Sequence, residues 1–335
     1  MYCTNVHPAE TLAETLSVLS GPVAAVARRL RRPGDGPYAV GLRLSAAAAR
    51  EAAGDPSALR ALAAVLAAEG LSVAHVNAFP FGAFHLTEVG ARVYSPDWSD
   101  PRRLAYSLDV ARVLAALLSP GATGSLSTVP LGYAPARPDL DAARRHLDAA
   151  EAALARLEAE TDRHVVLALE PEPDCVAEDA PSLIARVDPA PHRGVCLDVC
   201  HAAVVGEDPA AAFRAYRAAG FEVPRVQVSA ALRCADGAAL APFLADRVYL
   251  HQRRCDRVHF HVPIFWPGDG ALGTTRDLIS DDLLALALQE GAALEIETYT
   301  YSVLPAGLRP ESPAALTDAL VQEEKWLAAR INALS

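Results

Sequence analysis

The chain has 335 residues, 52% apolar and 21% charged, enough apolar side chain to bury a large core and too much for a disordered chain. Lys and Arg number 30 against 41 Asp and Glu, a formal charge of −11, which repels phosphate backbones and argues against a nucleic-acid partner. No run of roughly 18 apolar residues suggests membrane insertion, and six cysteines without a CxxC pair do not make a disulfide framework.

The opening MYCTNVHPAE lacks the basic and apolar regions of a signal peptide, so a cytoplasmic location is expected. In chain order, segments rich in Val, Leu and Ile fall at 3–7, 39–45, 72–79, 122–129, 164–171, 194–200, 225–231 and 293–299, with a further candidate at 257–262. Their short apolar runs suit strands buried on both faces. Aliphatic positions three and four apart predict helices over 9–32, 56–69, 102–118, 139–160, 208–219, 276–290 and 313–332. In one of these, Leu140, Leu147, Leu154 and Leu157 fall close to one stripe, with Asp139 placed to cap it and Pro101 to start the helix before it.

Strands alternating with helices indicate parallel βαβ units, which need long crossovers. Eight strands spread over the whole chain predict an α/β fold: a (β/α)8 TIM barrel filling residues 1–335 as a single domain, with an irregular insertion around 232–275. Within that insertion, GDGALGTT reads as a mobile loop over the barrel mouth. Neither GxGxxG after an early strand nor GxxxxGK[ST] occurs, which disfavours a dinucleotide fold or a nucleotide-phosphate loop.

Polar residues collect at the strand ends. Glu170 and Glu172 end the fifth candidate strand, Asp198 and His201 the sixth, and Gln227 lies in the seventh. His259 and His261 follow in RVHFHV, and Glu295 and Glu297 lie in the last strand. The C-terminal ends of barrel strands carry the chemistry of this architecture. Carboxylates are rarely buried without a cation, so several converging there imply a shared positive ion. Oxygen ligands with one or two imidazoles suit Mn²⁺, Mg²⁺, Co²⁺, Fe²⁺ or Zn²⁺, as one or two ions. Residues two apart share a strand face. Pro171 and Pro173 place Glu172 in a loop, which favours Glu170; Glu297, nearer the strand end, is preferred to Glu295. Asn5, His7, Arg43, His75 and Asn77, from the first three strands, are candidate ligands of a small polar substrate or a second metal. Arg43, inside an apolar strand, needs an anionic or hydrogen-bonding partner, either a substrate or a core carboxylate. Phe79, Phe81, Phe265 and Trp266 are candidates for an apolar lid. The cysteines read as small buried hydrophobes.

GVCLDVCHAAV, LALEPEP and LEIETYT resemble the xylose isomerase-like TIM barrels, a superfamily of sugar isomerases, epimerases and the endonuclease IV group. CTNVHPAE, FHVPIF and ETYTYSVLP are similar to the EboE-like metabolite traffic proteins. The resemblance covers essentially the full chain. It implies Glu170, Asp198 and Glu297 as metal ligands, with Glu170 and Glu297 also catalytic and His201 holding substrate or a second metal. Gln227 stands where the epimerases supply a histidine, and His251, His259 or His261 is a candidate replacement. The implied activity is metal-dependent isomerisation or epimerisation of a sugar, inosose or cyclitol through an enediolate. The alternatives are an endonuclease IV-type hydrolase of a small phosphorylated metabolite, an iron-dependent redox enzyme, or a non-catalytic metabolite-binding protein. A homodimer or a pathway protein partner is compatible with the same resemblance.

Overall fold

The structure, a computed structural model, describes residues 1–85, 88–234 and 237–334. Seven parallel strands form the main sheet in the order β1 (Tyr38–Arg43), β2 (Leu71–Asn77), β3 (Thr123–Thr128), β4 (His164–Leu169), β5 (Arg193–Asp198), β6 (Glu222–Val228) and, last, the strand Ala293–Ile296. Four short strands intervene in sequence: β7 (Ala231–Arg233), β8 (Arg253–Arg254), β9 (Arg257–His261) and β10 (Gly273–Thr274). Ala293–Ile296 is therefore β11. Tyr2 bridges to Ile296 and Cys3 to Gly41, so the N-terminal residues close the ring between β11 and β1. Helices cover its outside, and the architecture is a TIM-like α/β barrel with insertions.

The expected strand at 3–7 is the one departure in the ring. After the two bridges the chain turns into a 3-10 helix at Thr4–Val6. Thr4 lends its hydroxyl to the Arg43 backbone N–H at 2.8 Å, replacing a ladder bond with a side-chain one. The turn lifts Asn5 over the barrel mouth.

Most outer helices carry the caps their sequences offer. Asp139 accepts from the N–H groups of Asp141 and Ala142 at the start of Leu140–Thr161, and Asp100 precedes Pro101–Leu117. The helix expected over 9–32 runs from Leu12 to Leu30, widening to a π-helical turn at Leu19–Val23 around Pro22, which has no N–H to give. Ala46–Gly54, capped by Ser45, adds a helix with no wide apolar stripe to announce it.

The stretch 232–275 departs from the barrel repeat, though residues 235 and 236 lie outside the described ones. It holds a four-stranded antiparallel sheet in the order β10-β7-β9-β8. The candidate strand at 257–262 is thus β9 of this side sheet and no part of the barrel wall. GDGALGTT does not cover the mouth: Gly273 and Thr274 pair with Arg233 and Leu232, and the buried Thr275 hydroxyl accepts from Ala231 N at 2.8 Å. Among the described residues, no helix is long and apolar enough to cross a membrane.

Candidate metal centre

The barrel interior is polar in two layers. In the lower one, Arg225 of β6 and Glu295 of β11 are both fully buried and pair at 3.1 Å. Gly41 of β1 has no side chain because the Glu295 carboxylate fills that space; a Cβ there would run into it. His75 lies at this level, bonded through Nδ1 to Ser125 at 2.8 Å, and burial followed by the Arg225 charge pushes its pKa down to about 3.

The upper layer is the mouth. Glu170 follows β4, Asp198 ends β5 and Glu297 follows β11, and their carboxylate oxygens lie within 4.8 Å of one another. Asp198 and Glu297 are each held through one oxygen by neutral donors. Asp198 caps the helix Val199–Val205, so Oδ1 accepts from His201 N at 2.9 Å and Ser229 Oγ at 2.8 Å. Glu297 Oε1 accepts from Asn5 Nδ2 at 2.5 Å and Asn77 Nδ2 at 3.1 Å. Asp198 Oδ2 and Glu170 Oε2 are buried without a partner, as are both amide atoms of Gln227. Such orphaned acceptors are costly in a protein interior unless something positive joins them.

Burial, then the charges of the neighbouring carboxylates, raises the Glu170 and Glu297 pKa values well above the ordinary range, with Arg225 opposing. Burial works against Asp198 too, but His201 and His261 together with the cap hold its pKa below the usual value. Glu172, expected in a loop, is buried as well. Its Oε1 accepts from Tyr94 Oη at 2.7 Å, and burial pushes its pKa up to about 8.

Three imidazoles adjoin the acids, each oriented through Nδ1. His201 donates to Pro171 O at 3.1 Å, His261 to Glu297 O at 2.7 Å, and His259 pairs with Gln252 Oε1 at 2.8 Å. This makes Nε2 the lone-pair nitrogen, the arrangement metal-binding histidines use; that of His259 meets Tyr299 Oη at 3.5 Å. His261 Nε2 is buried without a partner. Burial lowers the pKa of all three, to about 4 for His201, so they are neutral at neutral pH. Asp198, His201 and His261 form a second triad within 4.8 Å, and Glu172, His201 and His259 a third. These buried clusters give the chain the capacity to hold a divalent metal ion. Cys200 lies beside His259 and His261, but burial pushes its thiol pKa well up, so it offers no ready thiolate.

A cleft of about 490 Å³, part of it open to solvent, leads to Glu170, Glu172, His201, His259 and Glu297. Its walls carry Asn5, Asn77, Phe79, Phe84, Tyr94, Tyr249 and Tyr299, and no Lys or Arg among the described residues. Phe84, Tyr249 and Tyr299 pack together with ring centroids 5.0–5.2 Å apart. Tyr249 comes from the irregular stretch and Phe84 from the loop after β2. The two segments join where Val89 N and Gly90 N both donate to Val248 O, at 2.8 and 3.0 Å.

Of the residues singled out in the sequence, Asn5, Asn77, Glu170, Asp198, His201, His259, His261 and Glu297 meet at this mouth. Asp198 and His261 are buried beneath the cleft's lining, and four others lie away from the mouth. Arg43 spends its guanidinium on Glu10 and the carbonyls of Ala9 and Gly82, so its partner is a carboxylate of the fold. His7 bonds Tyr2 Oη at 3.1 Å, His75 stays in the lower layer, and Trp266 packs into the hydrophobic core. Phe81 and Phe265 pack against that core outside the cleft, so of the expected lid only Phe79 lines it. Tyr94, Tyr249, Tyr299 and Glu172 were not predicted as site residues. Glu172 alone had a signal, its place two residues after Glu170.

The fold resembles solved structures over nearly its full length. A protein called IOLI, with a bound zinc atom, matches at TM-score 0.57 and 12% identity over 100% of this chain and 98% of that one. A xylose isomerase-like TIM barrel protein from Mycobacterium smegmatis, in complex with magnesium, matches at 0.55 and 14%, covering 100% and 97%. A D-tagatose 3-epimerase-like protein matches at 0.55 and 13%, covering 99% and 97%. No curated protein matches the sequence. These identities speak for the fold alone. A family model described as xylose isomerase-like TIM barrel matches residues 36–237, more than half of the chain and the span carrying Glu170, Asp198 and His201. The chain belongs to the xylose isomerase-like TIM barrel family.

Proposed function

We propose that this protein is a divalent-metal-dependent isomerase or epimerase of a small polyhydroxylated carbonyl compound: a sugar, an inosose or a related cyclitol. The proposal treats residues 1–335 as one catalytic domain and includes the finer likeness to EboE-like proteins. The observation that carries it is the convergence of Glu170, Asp198 and Glu297, with two buried unpartnered carboxylate oxygens, at the end of an acidic, aromatic-walled cleft. Glu170, Asp198 and Glu297 would hold the ion, with Gln227 or His261 completing its shell. When bound, a divalent ion supplies the positive charge that polarises a carbonyl and acidifies the adjacent C–H.

The rest of the chemistry belongs to the side chains. Glu170 and Glu297 stand on separate strands, so one removes the proton from that carbon and the other returns one from the far side. Burial raises the proton affinity of both, which suits an acid and a base that exchange protons near neutral pH. Asn5 and Asn77 fix the Glu297 carboxylate. His201, held by Pro171, presents Nε2 to a substrate hydroxyl. Phe84, Tyr249 and Tyr299 exclude water and offer flat apolar faces to a sugar ring. The family's solved relatives fit this reading, since the neighbours include a D-tagatose 3-epimerase-like protein and folds carrying zinc or magnesium.

The test is incubation of the manganese- or zinc-loaded protein with a panel of ketoses and inososes in heavy water. Incorporation of deuterium at the carbon beside the carbonyl, abolished by Glu297→Gln, is expected. Metal-dependent turnover without any exchange overturns the proposal. One observation favours a second reading, hydrolysis of a small phosphate ester. The first and second triads share Asp198, and the second and third share His201, which allows two ions side by side. Release of phosphate from sugar phosphates, with two metal equivalents bound, would select it.

A further inference from the structure

At the opposite face of the barrel, three side chains from consecutive elements converge where no chemistry has been assigned. Glu158 lies near the end of the helix Leu140–Thr161, His164 begins β4, and His192 immediately precedes β5. We propose that Glu158, His164 and His192 form a separate divalent-metal site that takes a zinc-like ion and clasps this helix to the N-terminal ends of β4 and β5.

Candidate ligand atoms from the three residues lie within 4.8 Å of one another. His164 Nδ1 stands 3.0 Å from Glu158 Oε1, and His192 Nε2 stands 3.3 Å from Glu158 Oε2. Ligands on a tetrahedral zinc with bonds of about 2.0–2.1 Å sit about 3.3 Å apart, so these separations need little adjustment. The orientation of His192 is the more telling feature. Its Nδ1–H donates to Val165 O at 3.0 Å, which leaves the Nε2 lone pair aimed at a carboxylate. A lone pair facing an anion is repulsive until a proton or a metal cation lies between them, and here the other imidazole stands close enough to share a metal. An imidazole anchored through one nitrogen to a backbone carbonyl, with the other free, is how proteins prepare a metal ligand.

The frame around the triad is rigid. The His192 backbone N–H donates to both oxygens of Glu151 at 3.1 and 3.2 Å, two helical turns before Glu158. One turn further back, Asp148 receives Arg193 at 2.9 Å. The rings of His164 and His192 stack with centroids 4.6 Å apart. His192 is 2% exposed while the Glu158 side chain is 44% exposed, so the ligands have a buried floor and an open side for water as the fourth ligand. Two imidazoles and a carboxylate suit Zn²⁺ over Mg²⁺ or Ca²⁺. The whole of β4 separates this triad from Glu170, roughly 20 Å at about 3.3 Å per residue. An ion here would not reach the cleft, and its role is structural.

The test uses the full chain, stripped with a chelator and titrated with Zn²⁺, with bound zinc counted by mass spectrometry after desalting. An Asp198→Asn/Glu297→Gln background weakens the mouth site. That background is expected to keep one zinc equivalent and to gain thermal stability on zinc addition. Adding Glu158→Gln or His164→Ala removes that equivalent and the stability gain. Both positions are partly exposed, and the zinc-free melting temperature reports whether the fold is intact. Should the background fail to fold, the same loss of one equivalent is read from His164→Ala in the otherwise unaltered chain. If neither substitution changes the zinc count or the zinc-dependent melting shift, the triad is an ordinary histidine–carboxylate contact and the proposal falls. A failure of the deuterium-exchange test leaves this result untouched, because no readout here depends on turnover.

Discussion

Glu295 and Glu297 lie two residues apart on one strand end, and the barrel treats their charges in opposite ways. In the lower layer Glu295 meets the Arg225 guanidinium, which among the described residues forms no other ion pair, and Gly41 clears room for the pair. In the upper layer Glu297 meets only the amides of Asn5 and Asn77, with two more carboxylates close by. A buried pair with matched charge is complete in itself. A buried group of acids with neutral donors is complete only with something added. The lower layer therefore belongs to folding and the upper to chemistry, although the residue type is the same.

Glu297→Gln should reduce turnover about 10²–10⁴-fold, the range of a lost proton-transfer group, while circular dichroism stays unchanged; an equal loss of folded protein would place Glu297 with Glu295. Arg225→Met should do the reverse, costing about 3–5 kcal/mol in urea unfolding because Glu295 is left buried and unpaired. The double substitution Arg225→Met/Glu295→Met should recover most of that loss, since apolar groups need no countercharge.

Removing divalent ions should destabilise the protein less than the loss of Arg225. Saturating Mn²⁺ or Zn²⁺ at about 100 times its dissociation constant adds about 2.7 kcal/mol, and Asp198→Asn should shrink that gain. The smallest effect is at Glu323, which accepts from Ile264 N, Thr298 Oγ1 and Tyr301 Oη at 2.8–3.1 Å. Burial raises its pKa from 4.5 to about 7. The folded chain thus binds this proton more tightly than the unfolded one. The stabilisation is complete below about pH 4.5 and is lost as pH rises through 7. Glu323→Gln should flatten that part of the stability–pH curve, read from unfolding midpoints in metal-free buffer.

Much of the scaffold was legible because its signals are local. Valine-rich runs such as HVVLAL and caps such as Asp139 mark strands and helix starts without reference to the rest of the chain. Nearness to the strand end favoured Glu297 over Glu295, which shares its parity. What failed were questions of partnership. CTNVH has a strand's composition, but Thr4 and Asn5 are used as side-chain donors and acceptors in a turn. Arg43 had a partner on either side of the question, and only the fold brings Glu10 to it. Tyr249 reaches the cleft from a segment without periodicity, and Tyr299, at the end of the last expected strand, sits in a 3-10 turn, so no pattern pointed to either as a wall residue. The irregular stretch announced only that it was irregular.

The shared fastening at Val248 has a consequence for traffic through the mouth. Two consecutive amides of one loop hang on a single carbonyl of the other, and Tyr249 Oη bonds His85 Nδ1 at 2.7 Å a residue away. Displacing either loop from the other gives up all three of these bonds, so the rim of the cleft is stapled from two distant parts of the chain at one point. A substitution there should loosen the rim without touching an acid at the bottom.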